Sequence, residues 1–279
     1  VAGVERAAQL RKESKSANFD LDHIKILLDG VVESKTAYLN EPYCNNDESE
    51  KDFRGLVLFD AETLTATLKK ANELGLITHI HSMGDGATKT SLDSHEKAGT
   101  VPKMRNAITH LQLVNPSDIE RMAKLGIVAV TNPYWFTKDL SYDLSAACIG
   151  EERAAAQYPM KSLFDEEIKV TTASDYPILT VFNPLQDIQR GVMRQLLNQP
   201  ETLLGGNERV TVEQMIEAVT LNGAYQFKCE DKLGSITVGK QADLAILDTD
   251  ITACKPENIS DAKVLRTMIG GEWVYTRAE

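Results

Sequence analysis

Long apolar runs are missing from this chain. No stretch of about 18 apolar residues occurs, which leaves no candidate for a membrane-spanning helix. Basic residues are outnumbered, with 30 Lys and Arg against 41 Asp and Glu and a net charge of −11. Phosphate neutralisation needs the opposite balance, so the chain is a poor candidate for general nucleic-acid binding, and the acidic excess serves solubility. Cysteine is scarce. Cys44, Cys148, Cys229 and Cys254 are far apart and form no CxxC pair, which argues against a clustered structural zinc site. A reduced, cytoplasmic setting fits this usage, although spacing alone leaves two disulfides open. Residues 1–15 read as a polar helix rather than as a secretory signal. The chain does not begin with Met, as expected of a processed, trimmed or incomplete chain, or of Met removal or a tag scar. No internal repeat or low-complexity tract stands out, and the acidic stretch 45–52 reads as a solvated loop.

What is present is an alternation of short apolar strands with amphipathic helices. Strands are expected at 24–29, 76–82, 107–113, 127–132 and 169–174. Between them, Leu64, Leu68 and Ala71 fall near helical spacing in a helix over 60–73, with Gly75 as its stop. A second helix spans about 86–98. A third is opened by Pro116 and Asp118 and closed by Gly126. Helical stretches follow at 185–198 and 212–227. Alternation of this kind predicts βα units around a parallel sheet, and five strands fit either an open sheet or a piece of a closed barrel. The character then changes. Residues 233–248 and 264–275 read as turn-punctuated strands without a long intervening helix, a small β appendage over 232–279.

Polar residues capable of chemistry recur at the expected strand ends. Lys25 lies in the first strand, His81 ends the second, His110 lies in the third and Asp175 closes the fifth. In α/β barrels and open sheets alike, the C-terminal strand ends face the active site. Imidazoles and a carboxylate meeting there would suit zinc or a similar divalent ion. Such an ion lowers the pKa of bound water towards about 7, and a nearby Asp can carry the proton. Taken one at a time, each residue has an ordinary explanation. A single strand-end histidine is more often a hydrogen-bonded core residue than a ligand. Lys25 alone reads as a snorkelling or edge-strand lysine, and Asp175 as a turn residue. His79 and His81 point to the same face of a strand. They form either a two-histidine motif or a ligand with a structural histidine one layer deeper.

Several segments together resemble the amidohydrolase superfamily: Lys25-Ile26 through Asp29-Gly30 with Thr36-Ala37, His81-Ser82-Met83-Gly84-Asp85, Thr109-His110, and Ala173-Ser174-Asp175-Tyr176-Pro177. They look most like its YtcJ-like branch, which includes enzymes of the N-substituted formamide deformylase type. The run from Gly234 to Leu244 is similar to the segment where amidohydrolases return from the barrel to a small β domain. The resemblance implies an α/β fold, a distorted TIM barrel with one or two metals. Lys25, His81, His110 and Asp175 match its metal positions on strands four, five, six and eight. Lys25 is then a candidate for carboxylation, His79 is structural, and Asp29 and Asp85 are either residues that orient ligands or turn and cap residues. The family's first strand carries a His-x-His pair, and nothing before Lys25 supplies one.

The expectation is therefore a partial barrel (strands four to eight) over 1–231 with part of a small β-sandwich domain over 232–279. The activity implied for an intact parent is hydrolysis of carbon–nitrogen bonds in a small amide or formamide, through a metal-activated water, with Asp175 moving the proton; the isolated chain is expected to be weakly active or inactive. No nucleic-acid or membrane partner is expected. An incomplete barrel leaves sheet edges open, so association into a homo-oligomer or with a missing N-terminal segment is expected. The rival expectations are a catalytically deficient regulatory or binding protein, and an interaction module whose open edges recruit another chain.

Overall fold

A computed structural model describes residues 1–16, 19–180 and 183–278 of the 279-residue chain. Its elements divide into two compact units. The first comprises 1–131 and 139–169, the second 132–138 and 170–279.

The first unit begins with α1 (Ala2–Ser14) and β1 (His23–Leu27). Then come α2 (Ala61–Glu73), β2 (Ile77–Ser82), α3 (Asp85–Lys97), β3 (Ala107–His110), α4 (Pro116–Leu125) and β4 (Val128–Thr131). Three helices close the unit: α5 (Leu140–Ile149), α6 (Glu151–Ala155) and α7 (Met160–Asp165). The strands pair in parallel and in chain order, β1 with β2, β2 with β3 and β3 with β4. The sequence signals explain these boundaries. Asp60 caps α2 by accepting from the Thr63 amide at 2.8 Å. Gly126 ends α4 in the left-handed region, φ 64°, where a Cβ would be strained. Leu64, Leu68 and Ala71 of α2 are fully buried, as are Ile77 and Ile80 of β2. Val4 of α1 joins Ala71 and Leu76 in one apolar cluster.

β1 lies at the edge of the sheet. Its Leu27 is 53% exposed and its Lys25 is exposed, whereas all four residues of β3 and of β4 are buried. The third strand is shorter than expected, ending at His110 rather than 113, because His110 and Leu111 both adopt positive φ and break the pleat.

The second unit holds β5 (Val170–Thr172), α8 (Pro184–Met193), α9 (Val212–Val219), α10 (Leu221–Gln226), and a separate antiparallel sheet of β6 (Leu244–Leu247), β7 (Val264–Ile269) and β8 (Glu272–Thr276). This small antiparallel sheet runs from Leu244 to Thr276. The helix expected over 212–227 is two helices, because Thr220 leaves helical geometry at φ −128°, ψ −86°. That over 185–198 stops at Met193, where Arg194 takes φ 54°. β5 is tied down by side chains: Thr171 Oγ1 donates to the Ala218 carbonyl at 3.0 Å and Asn222 Nδ2 to the Val170 carbonyl at 3.0 Å. Among the described residues, no helix is long and apolar enough to cross a membrane.

Two predictions follow from burial. Leu68→Ala opens a cavity under α2 and should cost about 2–5 kcal/mol in urea unfolding, while Leu58→Ala, at a 59% exposed position, should stay within about 0.5 kcal/mol. Asp187 of α8 is buried with Oδ1 unpartnered, and burial pushes its carboxyl from 3.8 up to about 7, partly opposed by a hydrogen bond from Thr172. The native state thus keeps a proton that the unfolded chain releases. The resulting stabilisation is complete below the ordinary value and is lost as pH rises through about 7. Asp187→Asn should flatten that decline when denaturant midpoints are compared across this window.

Candidate functional site

Alternation along β2 places His79 and His81 on one face, and the parallel register sets what lies beside each. Lys25 is opposite His79, and Leu27 is opposite His81. Lys25 therefore sits one pleat repeat, roughly 6–7 Å along the strand, before the level of His81. Burial pushes His79 down to about 3, with the charges of Lys25 and His23 adding to the effect, so its ring is neutral at physiological pH.

His110 pairs with Ser82 in the register, and regular alternation would turn it to the face opposite His81. It does not go there. With φ 78° at His110 and 50° at Leu111, the pleat ends and the buried imidazole stands edge-on to His81. The ring centroids are 4.6 Å apart and the planes meet at 69°. The backbone geometry costs energy for a non-glycine residue, and it coincides with the residue that the family resemblance marks as a ligand.

His81 Nε2 lies 2.9 Å from the Gly30 carbonyl oxygen. A carbonyl only accepts, so the neutral ring carries its proton on Nε2 and its lone pair on Nδ1. Metal-ligating histidines are commonly held this way, with the distant N–H fixed by a backbone carbonyl.

The loop bearing Gly30 is anchored by Asp29. Its side chain is fully buried and accepts the Met83 amide at 3.0 Å through Oδ1, and those of Gly84 at 2.9 Å and Tyr38 at 3.0 Å through Oδ2. Burial pushes the Asp29 carboxyl up to about 7, against the pull of these donors. His81 Nε2 is 3.6 Å from Asp29 Oδ1, too long for a hydrogen bond beside the 2.9 Å contact to Gly30. Asp85 fastens the same loop from α3, receiving the Asn40 amide and Nδ2, each at 3.0 Å. Asp29 and Asp85 are thus loop anchors in this structure. In the sequence Asp29 fitted a ligand-orienting residue and a turn residue equally. The receiving atom at Gly30 belongs to the backbone and leaves no side-chain signature.

Asp175 belongs to the second unit. It is half-buried with φ 57°, three residues beyond the end of β5, and its carbonyl accepts from the Ile178 amide at 2.8 Å. Nearby, Asn132 Nδ2 donates to the Ala173 carbonyl at 2.7 Å. Of the four expected site residues, the structure brings His81 and His110 into contact and sets Lys25 at the adjoining level of the same sheet. Two imidazoles suit a zinc-type divalent ion chemically. Among the described residues, no group of three or more His, Cys, Asp or Glu side chains gathers to hold one, so the pair is a partial donor set.

Comparison with known proteins shows the family. A model of the amidohydrolase family matches residues 2–275. The chain therefore belongs to the amidohydrolase family, in its YtcJ-like branch. It is 28% identical over 276 residues to the putative amidohydrolase YtcJ of Bacillus subtilis, covering 99% of this chain and 51% of that protein. It is 31% identical over 221 residues to the N-substituted formamide deformylase of Arthrobacter pascens, covering 75% of this chain and 38% of that enzyme. Among solved structures, an uncharacterized metal-dependent hydrolase from Pyrococcus furiosus superposes with a TM-score of 0.70 at 26% identity, over 86% of this chain and 47% of that one. The chain spans about half the length, or less, of these relatives.

Close packing makes Gly84 a sensitive point of the loop anchor. A Cβ there would lie 2.0 Å from the Tyr38 carbonyl oxygen, which also accepts the Ala87 amide at 3.0 Å. Gly84→Ala should therefore cost at least about 1–3 kcal/mol in denaturant unfolding. It should also shift the His81 imidazole resonances, whereas a change confined to α3 would leave them in place.

Proposed function

We propose that this chain forms strands four to eight of a (β/α) barrel and carries part of the active site of a metal-dependent hydrolase of carbon–nitrogen bonds, with small amides or N-substituted formamides as substrates. The observation that carries the proposal is the His81–His110 pair at 4.6 Å, with the Nε2 proton of His81 held by the Gly30 carbonyl. The relationship to the N-substituted formamide deformylase supports the substrate class.

In this reading His81 would offer Nδ1 to a divalent ion and His110 a ring nitrogen. Lys25, if carboxylated, and Asp175 take the further ligand positions that the resemblance assigns to them. A divalent ion bound there supplies Lewis acidity, which lets water ionise near neutral pH. The neutral His79 adds no charge to this face. Asp175 accepts the proton of the attacking water and passes it to the leaving nitrogen. A carbon–oxygen bond forms at the carbonyl and the carbon–nitrogen bond breaks, giving a carboxylic acid, or formate from a formamide, and a free amine.

A second reading is favoured by the absence, among the described residues, of a gathered set of three metal-capable side chains. It is an amidohydrolase-like binding or regulatory protein without the chemistry. One experiment separates the two: elemental analysis of the purified chain after zinc loading, alongside amine release from a panel of N-substituted formamides. The hydrolase reading expects about one or two equivalents of zinc, lost in His110→Ala and Asp175→Ala, with amine release that follows metal content. Stable folding without metal or turnover would support the binding reading.

A further inference from the structure

Two of the four cysteines, separated by more than a hundred positions in sequence, meet in the first unit. The Cys44 amide donates to the Cys148 carbonyl at 2.9 Å. The Cys44 thiol points at the same carbonyl, with Sγ at 3.1 Å from it and 3.6 Å from that of Ala147. The Cys148 sulfur lies 3.8 Å from Asn45 Nδ2, a side chain of the residue next to Cys44, and 3.9 Å from the Glu33 carbonyl. A backbone hydrogen bond between two residues brings their α-carbons within about 7 Å, the range in which a disulfide can form. Cys44 is exposed and Cys148 buried. The pair therefore has one thiol that reagents can reach and one that is shielded beside it. Cys229 and Cys254 differ: each sulfur contacts a carbonyl close by in its own segment, Ala224 and Ile251 respectively.

We propose that Cys44 and Cys148 are a redox modification site, forming a reversible disulfide when the chain meets a low-molecular-weight disulfide. The Cys44 thiolate attacks one sulfur of the oxidant, forming a mixed disulfide and releasing one thiolate. Rotation about the Cys44 side chain then exposes that mixed disulfide to the Cys148 thiolate, which attacks Cys44 Sγ and expels the second thiolate. The protein dithiol loses two electrons, the small disulfide gains them, and the two protein protons end on the two released thiols.

The bond would join the loop after β1 to the last turn of α5. These segments already touch: Ser145 Oγ of α5 donates to Glu33 Oε1 at 2.9 Å. Glu33 lies in the same loop as Gly30, whose carbonyl receives His81. Oxidation would thus fix the segment that orients the candidate ligand. The covalent loop closed, on the order of 100 residues, is long enough for a large entropic effect on the unfolded chain.

The test is oxidation of the full, reduced chain with oxidised glutathione, followed by peptide mapping without reductant. The expected result is one cross-link between the Cys44 and Cys148 peptides, with two of the four thiols still reactive. The melting temperature should rise by roughly 5 °C or more and return on reduction. The Cys44→Ser variant changes an exposed position, so it should fold normally, lose the cross-link and show no rise in melting temperature. Cys229→Ser should behave as the parent chain. Persistence of Cys44 as a glutathione adduct with Cys148 still titratable would overturn the proposal. So would cross-links involving Cys229 or Cys254, or no reaction at all.

Discussion

A single buried carboxylate holds the candidate site in register. Asp29 sits where β1 gives way to its following loop, and its two oxygens take three backbone amides from two separate segments. Those amides at Met83 and Gly84 begin the turn into α3, and that at Tyr38 belongs to the loop itself. Burying a carboxylate is expensive unless it is hydrogen-bonded, and an amide left without an acceptor is costly too. Each side of the arrangement therefore enforces the other. The Gly30 carbonyl, one residue on, inherits its position from this knot, and through it His81 inherits a fixed ring orientation and tautomer.

The second device is local. At the ends of β3 and β5 the chain takes left-handed backbone at non-glycine residues, His110 and Asp175. Continuation of the strand would place the His110 ring on the wrong side of the sheet. The left-handed residue ends the pleat and frees the ring from its alternation. The favourable energy of the surrounding packed sheet holds a conformation that an isolated peptide would seldom populate.

Much of the frame was legible in the sequence because it follows from short-range rules. Apolar runs bounded by Gly75 and Gly126 marked β2 and β4, and Asp60, Pro116 and Gly126 marked helix ends where the structure has them. The motif order also identified the family. What escaped was decided by tertiary geometry. Nothing local at Thr220 separates α9 from α10, and the positive φ that shortens β3 is visible only in three dimensions. Asp29 read equally well as a turn residue, since its partners lie up to 55 positions away. The level of Lys25 relative to His81 depends on strand register, which sequence periodicity leaves open by two-residue steps. Conversely, the approach of Cys44 to Cys148 could not have been read from spacing at all.

The bond from His81 to the Gly30 carbonyl joins residues 51 positions apart. Contacts of that span form only after loop closure, so they come late in folding. The histidine pair accordingly has no existence in a locally ordered but unassembled chain. Any ligand that recognises it sees the native state alone and stabilises that state by mass action. For such a protein, supply of the ligand during synthesis would govern how much folded protein accumulates as well as how fast it works.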